Sequence, residues 1–459
     1  MVEDRMEIER KLVGYETTND SLPWARRAWH GSFVFRQGVN LAALAFCNAS
    51  LAVLSAWYIV TRTGINFRSD AFFASSALPQ LAFGLLSATL VPVLVPLLAT
   101  KNQQQLRQDG WALFQLITGI SLLVAVPLFA LADLWVPLLV PGFSGEGKNL
   151  TIALTRIQIV SMVLNAAIVT LAAVHHALRR FVWVELSALI ANMAGLLFLV
   201  FALPRFGIVI AALSIVFHNI LKLIFLLPAL GRWRRPVFHS PTVTDARRLL
   251  KPLLPGQAYQ RTEPLLDRFL SSMNGAGSLS LFSVAQQIYA NVSLVTMKTL
   301  VSPLIPKLAV EAGGDWRAYR HTYRKRLLLI ACLACAGVVL LIFGERILSF
   351  AIGHAGVTRE NVYSLWLIMI ALGGLFGGVV LGQIVSAAFY AAGNTKTPAK
   401  VSAIVYTIYL PFKIVMFLRY GVVGLGITVS AYCLTNFLVQ LVMLERDVAR
   451  KLENRRTRP

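Results

Sequence analysis

Charge is scarce in this chain, and acid is scarcer than base. Only 14% of its 459 residues are charged, against about 25% in a soluble globular protein. With 57% hydrophobic residues, too little polar surface remains to clothe a soluble core, so the chain reads as a polytopic membrane protein. Lys and Arg number 43 against 21 Asp and Glu, a formal net charge of +22. That excess does not mark a nucleic-acid partner, because the cations stand in short clusters between apolar runs, where they encode topology. Cysteine is rare too. Cys47, Cys332, Cys335 and Cys433 all fall in apolar runs, which excludes a disulfide framework, and Cys332-x-x-Cys335 lacks the soluble βαβ context of a redox motif. No phosphate loop, no nucleophile with its base and no zinc spacing is present. Neither an enzyme nor an ATP-driven pump is expected, and no cofactor or metal. The first 36 residues carry both signs of charge and no apolar core, so they do not read as a secretory signal peptide.

What the chain does have, it has twice. The run from Thr89 to Ala99, with Pro92 and Pro96, returns as Thr299 to Ala309, with Pro303 and Pro306. Arg205-Phe206-Gly207-Ile208-Val209 returns as Arg419-Tyr420-Gly421-Val422-Val423. Both echoes lie at nearly the same offset, about 210 residues, far too long for a solenoid. A duplicated bundle in a membrane is the signature of a transporter.

Runs of about 20 apolar residues predict about twelve transmembrane helices. The seventh, 249–272, carries prolines and charges and is required by the repeat rather than by hydropathy; the eighth is 278–305, and the last two are 399–418 and 421–445. The expected fold is all-α: two pseudo-symmetric six-helix lobes, 37–231 and 247–447, around a central cavity. Residues 1–36 and 232–246 are read as cytoplasmic segment and linker, and 448–459 as a basic tail. Lys and Arg cluster before the first span, in the linker, after the eighth span and in the tail, which puts both termini in the cytoplasm.

Asp70-Ala71-Phe72-Phe73 with Leu78-Pro79 and Val91 to Leu94, Leu266 to Ser272 with Gly277-Ser278, Ala388 to Ala391 with Thr395 to Pro398, and Gly421 to Gly426 occur in that order. Together they resemble the lipid II flippase (MurJ/MviN) family of the multidrug/oligosaccharidyl-lipid/polysaccharide exporter superfamily. The resemblance implies alternating access for lipid II or another undecaprenyl-pyrophosphate-linked glycan in the bacterial inner membrane. It also implies membrane lipid and the lipid-linked saccharide as partners, with an envelope glycan polymerase as a further candidate. Two features depart from the family pattern. Its members carry arginines in the first helix and just after the Leu-Pro of the second, where they meet pyrophosphate; here Asn48 to Val60 holds no cation and Pro79 is followed by Gln80. The family's usual two further C-terminal helices have no counterpart, and the phosphate-handling charges are expected elsewhere.

An ionisable residue within a span costs at least about 2.5 kcal/mol and is a functional candidate by default. The densest group is Arg261, Glu263, Asp267 and Arg268 in the seventh span. The arginines share one helical face and are expected to grip a head-group phosphate. The carboxylates share another face and repel; they must find cations on other helices or bind a proton or Na+ as coupling ion. Lys298, Lys222 and Lys413 are further candidate cations for the head group. Glu185 is a weaker candidate, His218 reads as a hydrogen-bonded packing residue, and His175 and His176 read as an interfacial helix end. Prolines 92, 96, 303 and 306 are expected bends, and Gly373, Gly374, Gly377 and Gly378 form a smooth stripe for close packing or flexing. Transport would draw on an H+ or Na+ gradient or on the membrane potential. The rival functions are a cation-coupled multidrug exporter and a non-transporting scaffold of an envelope polymer assembly.

Overall fold

The computed structural model describes residues 31–233, 236–238, 240–301, 304–346, 349, 358–394 and 396–456. The chain divides into Met1–Asn40, of which residues 31–40 are helical, and a compact unit, Leu41–Pro459. Among the described residues there are helices and no strands. In chain order they are α1 (Gly31–Thr63), α2 (Phe67–Ser75), α3 (Ala77–Ala99), α4 (Gln103–Ala130), α5 (Ala132–Leu139), α6 (Gly145–Ala177), α7 (Phe181–Phe206), α8 (Val209–Leu226), α9 (Pro241–Gln260), α10 (Glu263–Ser272), α11 (Ser278–Thr296), α12 (Leu304–Gly314), α13 (Trp316–Ile342), α14 (Arg359–Ala371), α15 (Gly373–Ala391) and α16 (Lys396–Arg456).

Polar caps punctuate the apolar runs. Asn66 and Ser69 form a reciprocal capping box at α2, and the side chains of Asn102, Ser240, Asp315 and Thr358 accept from the first turns of α4, α9, α13 and α14. Each satisfies donors that a helix start leaves open. Nine described helical stretches are long and apolar enough to cross a membrane. The seventh and eighth expected spans are not among them. The seventh is broken between Gln260 and Glu263, where Pro264 removes a backbone donor and crowds the carbonyl four residues back. The eighth runs through a π-turn at Met297–Val301 before α12. The last two are two helices, carried together under the label α16 and separated by a kink at Gly421 (φ +59°, ψ −142°).

That turn bears on the repeat. Gly207, the equivalent of Gly421 in the first copy, has φ +72° and ψ −163°. The two glycines share a backbone region that a Cβ makes costly, so the sequence echo is an echo of geometry.

Each half is built around a buried helix. In the first half α6 packs on α2, α3, α4 and α8, with Leu154, Ala166, Leu171, Ala173 and Val174 fully buried. In the second, α15 packs on α13 and α16. Its glycine stripe has two sides. A Cβ on Gly374 or Gly378 would strike Ser430 or Cys433 of α16, while Gly373 and Gly377 face Val338 and Ala334 of α13. Pro92 and Pro96 lie within α3, which continues through both. Pro303 lies outside the described residues, as do the side chains of Lys298 and Pro306.

Candidate functional site

The halves meet along a seam in which α9 and α10 of the second lie on α3 of the first, and α11 meets α2. At one end the seam is packed tightly. Helix α11 begins at Gly277, which has no side chain to cap it. The cap comes from the other half: Asp70 Oδ2 accepts from the Gly277 amide at 2.5 Å, and its Oδ1 accepts from the Ser280 amide at 2.7 Å and the Ser280 hydroxyl at 2.6 Å. A carboxylate at a helix N-terminus is favoured by the open donors and by the helix dipole. Ser69 Oγ lies 3.0 Å from Ser280 Oγ. Beside them, the backbone at Gly142 sits so close to the Ser272 carbonyl that any side chain would clash.

Along α3, away from that end, come the two arginines. Arg268 Nη2 donates to Gln80 Oε1 at 2.5 Å, and the Arg261 guanidinium lies against Gly84, where a Cβ would stand 2.8 Å from Nη1. Gln80 and Gly84 are one turn apart on the same face of α3. Both arginines are half-buried. Gln80 follows the Leu-Pro pair after which the resembling family carries an arginine; here a guanidinium from the opposite half reaches that place.

The carboxylates of α10 point elsewhere. Lys413 of α16 sits between them, its Nζ 2.6 Å from Asp267 Oδ1 and 3.0 Å from Glu263 Oε1, and Gln286 Nε2 donates to Asp267 Oδ2 at 2.9 Å. The side chains of Lys413 and Asp267 are 4% and 2% exposed. Of the sequence's alternatives for the acid pair, the structure has the cation supplied by another helix.

The remaining candidates are dispersed. Lys222 is half-buried on α8, and Glu185 on α7 meets Asn48, which in turn accepts from Asn192. His175 Nε2 is 3.0 Å from the Leu226 carbonyl in the first-half core. Asp70 and Gln80 enter the sequence reading only as part of the family motif and as the residue after Pro79, without a site role, and Gln286 does not enter it; Asp70 also stands 210 residues before Ser280, the offset of the repeat.

Two helical lobes joined along a seam that carries buried charge define a membrane transporter of the two-lobe class. Among solved structures, an inward-facing multidrug resistance MATE transporter of the MOP superfamily aligns with TM-score 0.72 and 13% identity, covering 92% of this chain and 100% of its own. The chain belongs to the lipid II flippase MurJ family, whose model matches residues 59–456. A probable lipid II flippase MurJ of Thermotoga maritima is 22% identical over 397 residues, 85% of this chain and 81% of the relative. A structure of lipid II flippase MurJ in an inward closed conformation aligns with TM-score 0.78 and 18% identity, covering 89% of this chain and 87% of that one.

Proposed function

We propose that this protein is an inner-membrane flippase that carries a lipid-linked saccharide, lipid II or a related undecaprenyl-pyrophosphate glycan, from the cytoplasmic to the periplasmic leaflet. It makes and breaks no covalent bond. The observation that carries the reading is the pair Arg261 and Arg268 lying along Gln80 and Gly84 at the seam of a chain in this family. Two planar guanidiniums at the interface between the halves suit a pyrophosphate, which offers paired oxygens to each fork. Arg268 is held by a neutral amide rather than by a carboxylate, so it keeps its charge for a ligand. Lys222 and Lys298 remain secondary candidates for the head group.

With both termini cytoplasmic, the Asp70 clasp lies at the periplasmic end, and the closed end is the one from which the glycan leaves. Depletion in cells, followed by chemical identification of the prenyl-linked intermediate that accumulates, tests the function. Accumulation on the cytoplasmic leaflet, rescued by the wild-type gene and not by R261A/R268A, is expected. No accumulation of any prenyl-linked saccharide overturns the reading.

A further inference from the structure

We infer that Lys413 is a resident cation: its ammonium fills the seat between Glu263 and Asp267 that an alkali ion would take, so the protein moves its substrate without binding Na+. The transport clause rests on the flippase reading; the ion-binding clause does not. Three observations carry it. The carboxylates stand one turn apart on a helix within the bundle, and both turn toward one point rather than toward Arg261 and Arg268. At that point the Lys413 ammonium stands within hydrogen-bond distance of an oxygen from each acid, at 2.6 and 3.0 Å, as a bound cation would. The neighbouring groups are neutral: Gln286 Nε2 donates to the second oxygen of Asp267, and beside Glu263 in the chain the Thr262 hydroxyl donates to the Tyr259 carbonyl and lies 3.0 Å from Tyr406 OH.

The physical consequence follows from the tether. Two desolvated carboxylates require a positive charge. A free ion meeting that need can be bound on one side and released on the other, so its gradient does work on the transporter. An ammonium fixed to α16 cannot be released, and it excludes any competitor from the same oxygens. The carboxylates then serve to hold α10 against α16, and the charge crossing the membrane is the substrate's own.

The test is Na+ binding by the full-length protein in detergent, read as melting temperature with Na+ against choline. Wild type is expected to give no saturable shift. Lys413→Ala is expected to give one, reaching an elevenfold change in the folding equilibrium when Na+ is about ten times its dissociation constant, and Lys413→Ala/Asp267→Asn is expected to lose it. Since removing the lysine leaves two acids unpaired and threatens folding, Lys413→Ala/Glu263→Gln, with the same net charge as wild type, is measured in parallel. A saturable Na+ shift in wild type that Asp267→Asn abolishes overturns the inference, as does a folded Lys413→Ala, or its Glu263→Gln partner, that ignores Na+. Should neither variant fold, the wild-type measurement decides. Flipping in proteoliposomes with Na+ replaced by choline is read separately: unchanged wild-type flipping is expected, and a Na+-dependent rate overturns the transport clause while leaving the melting result to judge the seat. Absent flipping of any prenyl-linked saccharide counts against the function proposed above and not against the seat.

Discussion

Arg268 and Asp70 are the residues whose chemistry is easiest to isolate. Arg268→Ala removes the fork that Gln80 holds and is expected to abolish complementation in a depletion strain. Arg268→Lys keeps the charge but loses the planar pair of donors, so partial activity is expected. Asp70→Ala strips three hydrogen bonds from the start of α11 and should lower stability by about 2 kcal/mol, read by thermal melting. At this scale the sequence was half legible. The seventh span's charges announced themselves because ionisable residues are costly in a membrane. Their partners did not: Lys413 is 150 residues from Glu263 and Gln80 is 188 from Arg268, and no local spacing links them. Gln80, an uncharged residue after Pro79, looked like a lost arginine rather than the seat for one.

Among the elements, the departures from expectation have local causes. Pro264 breaks the seventh span in its interior, between Gln260 and Glu263, and the π-turn at Met297–Val301 interrupts the eighth. Hydropathy is blind to both breaks, and the seventh helix is expected only because the repeat, which compares positions rather than polarity, requires it. Gly207 and Gly421 make the most direct element-level test. Alanine at either must adopt a positive φ, so G207A and G421A should each destabilise by about 1–3 kcal/mol, with the larger loss of melting temperature for G421A, whose Cβ would also strike the Asn274 side chain while that of G207A meets open space. On α15, Gly378→Val would drive a branched side chain into Cys433, and a comparable loss is expected from overpacking α15 against α16.

For the whole molecule, the question is whether the closed end must open. Ser69 and Ser280 stand with their hydroxyls 3.0 Å apart across the two halves, close enough for paired cysteines to approach disulfide distance with small adjustment. In a background without Cys47, Cys332, Cys335 and Cys433, S69C/S280C is expected to crosslink under oxidant, to stop flipping, and to recover on reduction. Crosslinking with undiminished flipping would mean that this end stays shut throughout the cycle. The two-lobe plan was the most legible level of all, since a duplicated apolar pattern dictates a duplicated bundle. The seam was the least legible, because it is made where the copies differ.

Asp70 and Ser280 occupy the same place in the two copies, 210 residues apart, and they are bonded to each other. Had duplication left the halves identical, acid would confront acid there and the gate could not shut, or hydroxyl would greet hydroxyl with nothing to anchor the naked start of α11. Closure at this point therefore requires broken symmetry: within a single polypeptide one half can carry the anion and the other the complementary donor, a division of labour unavailable to a dimer of equal subunits.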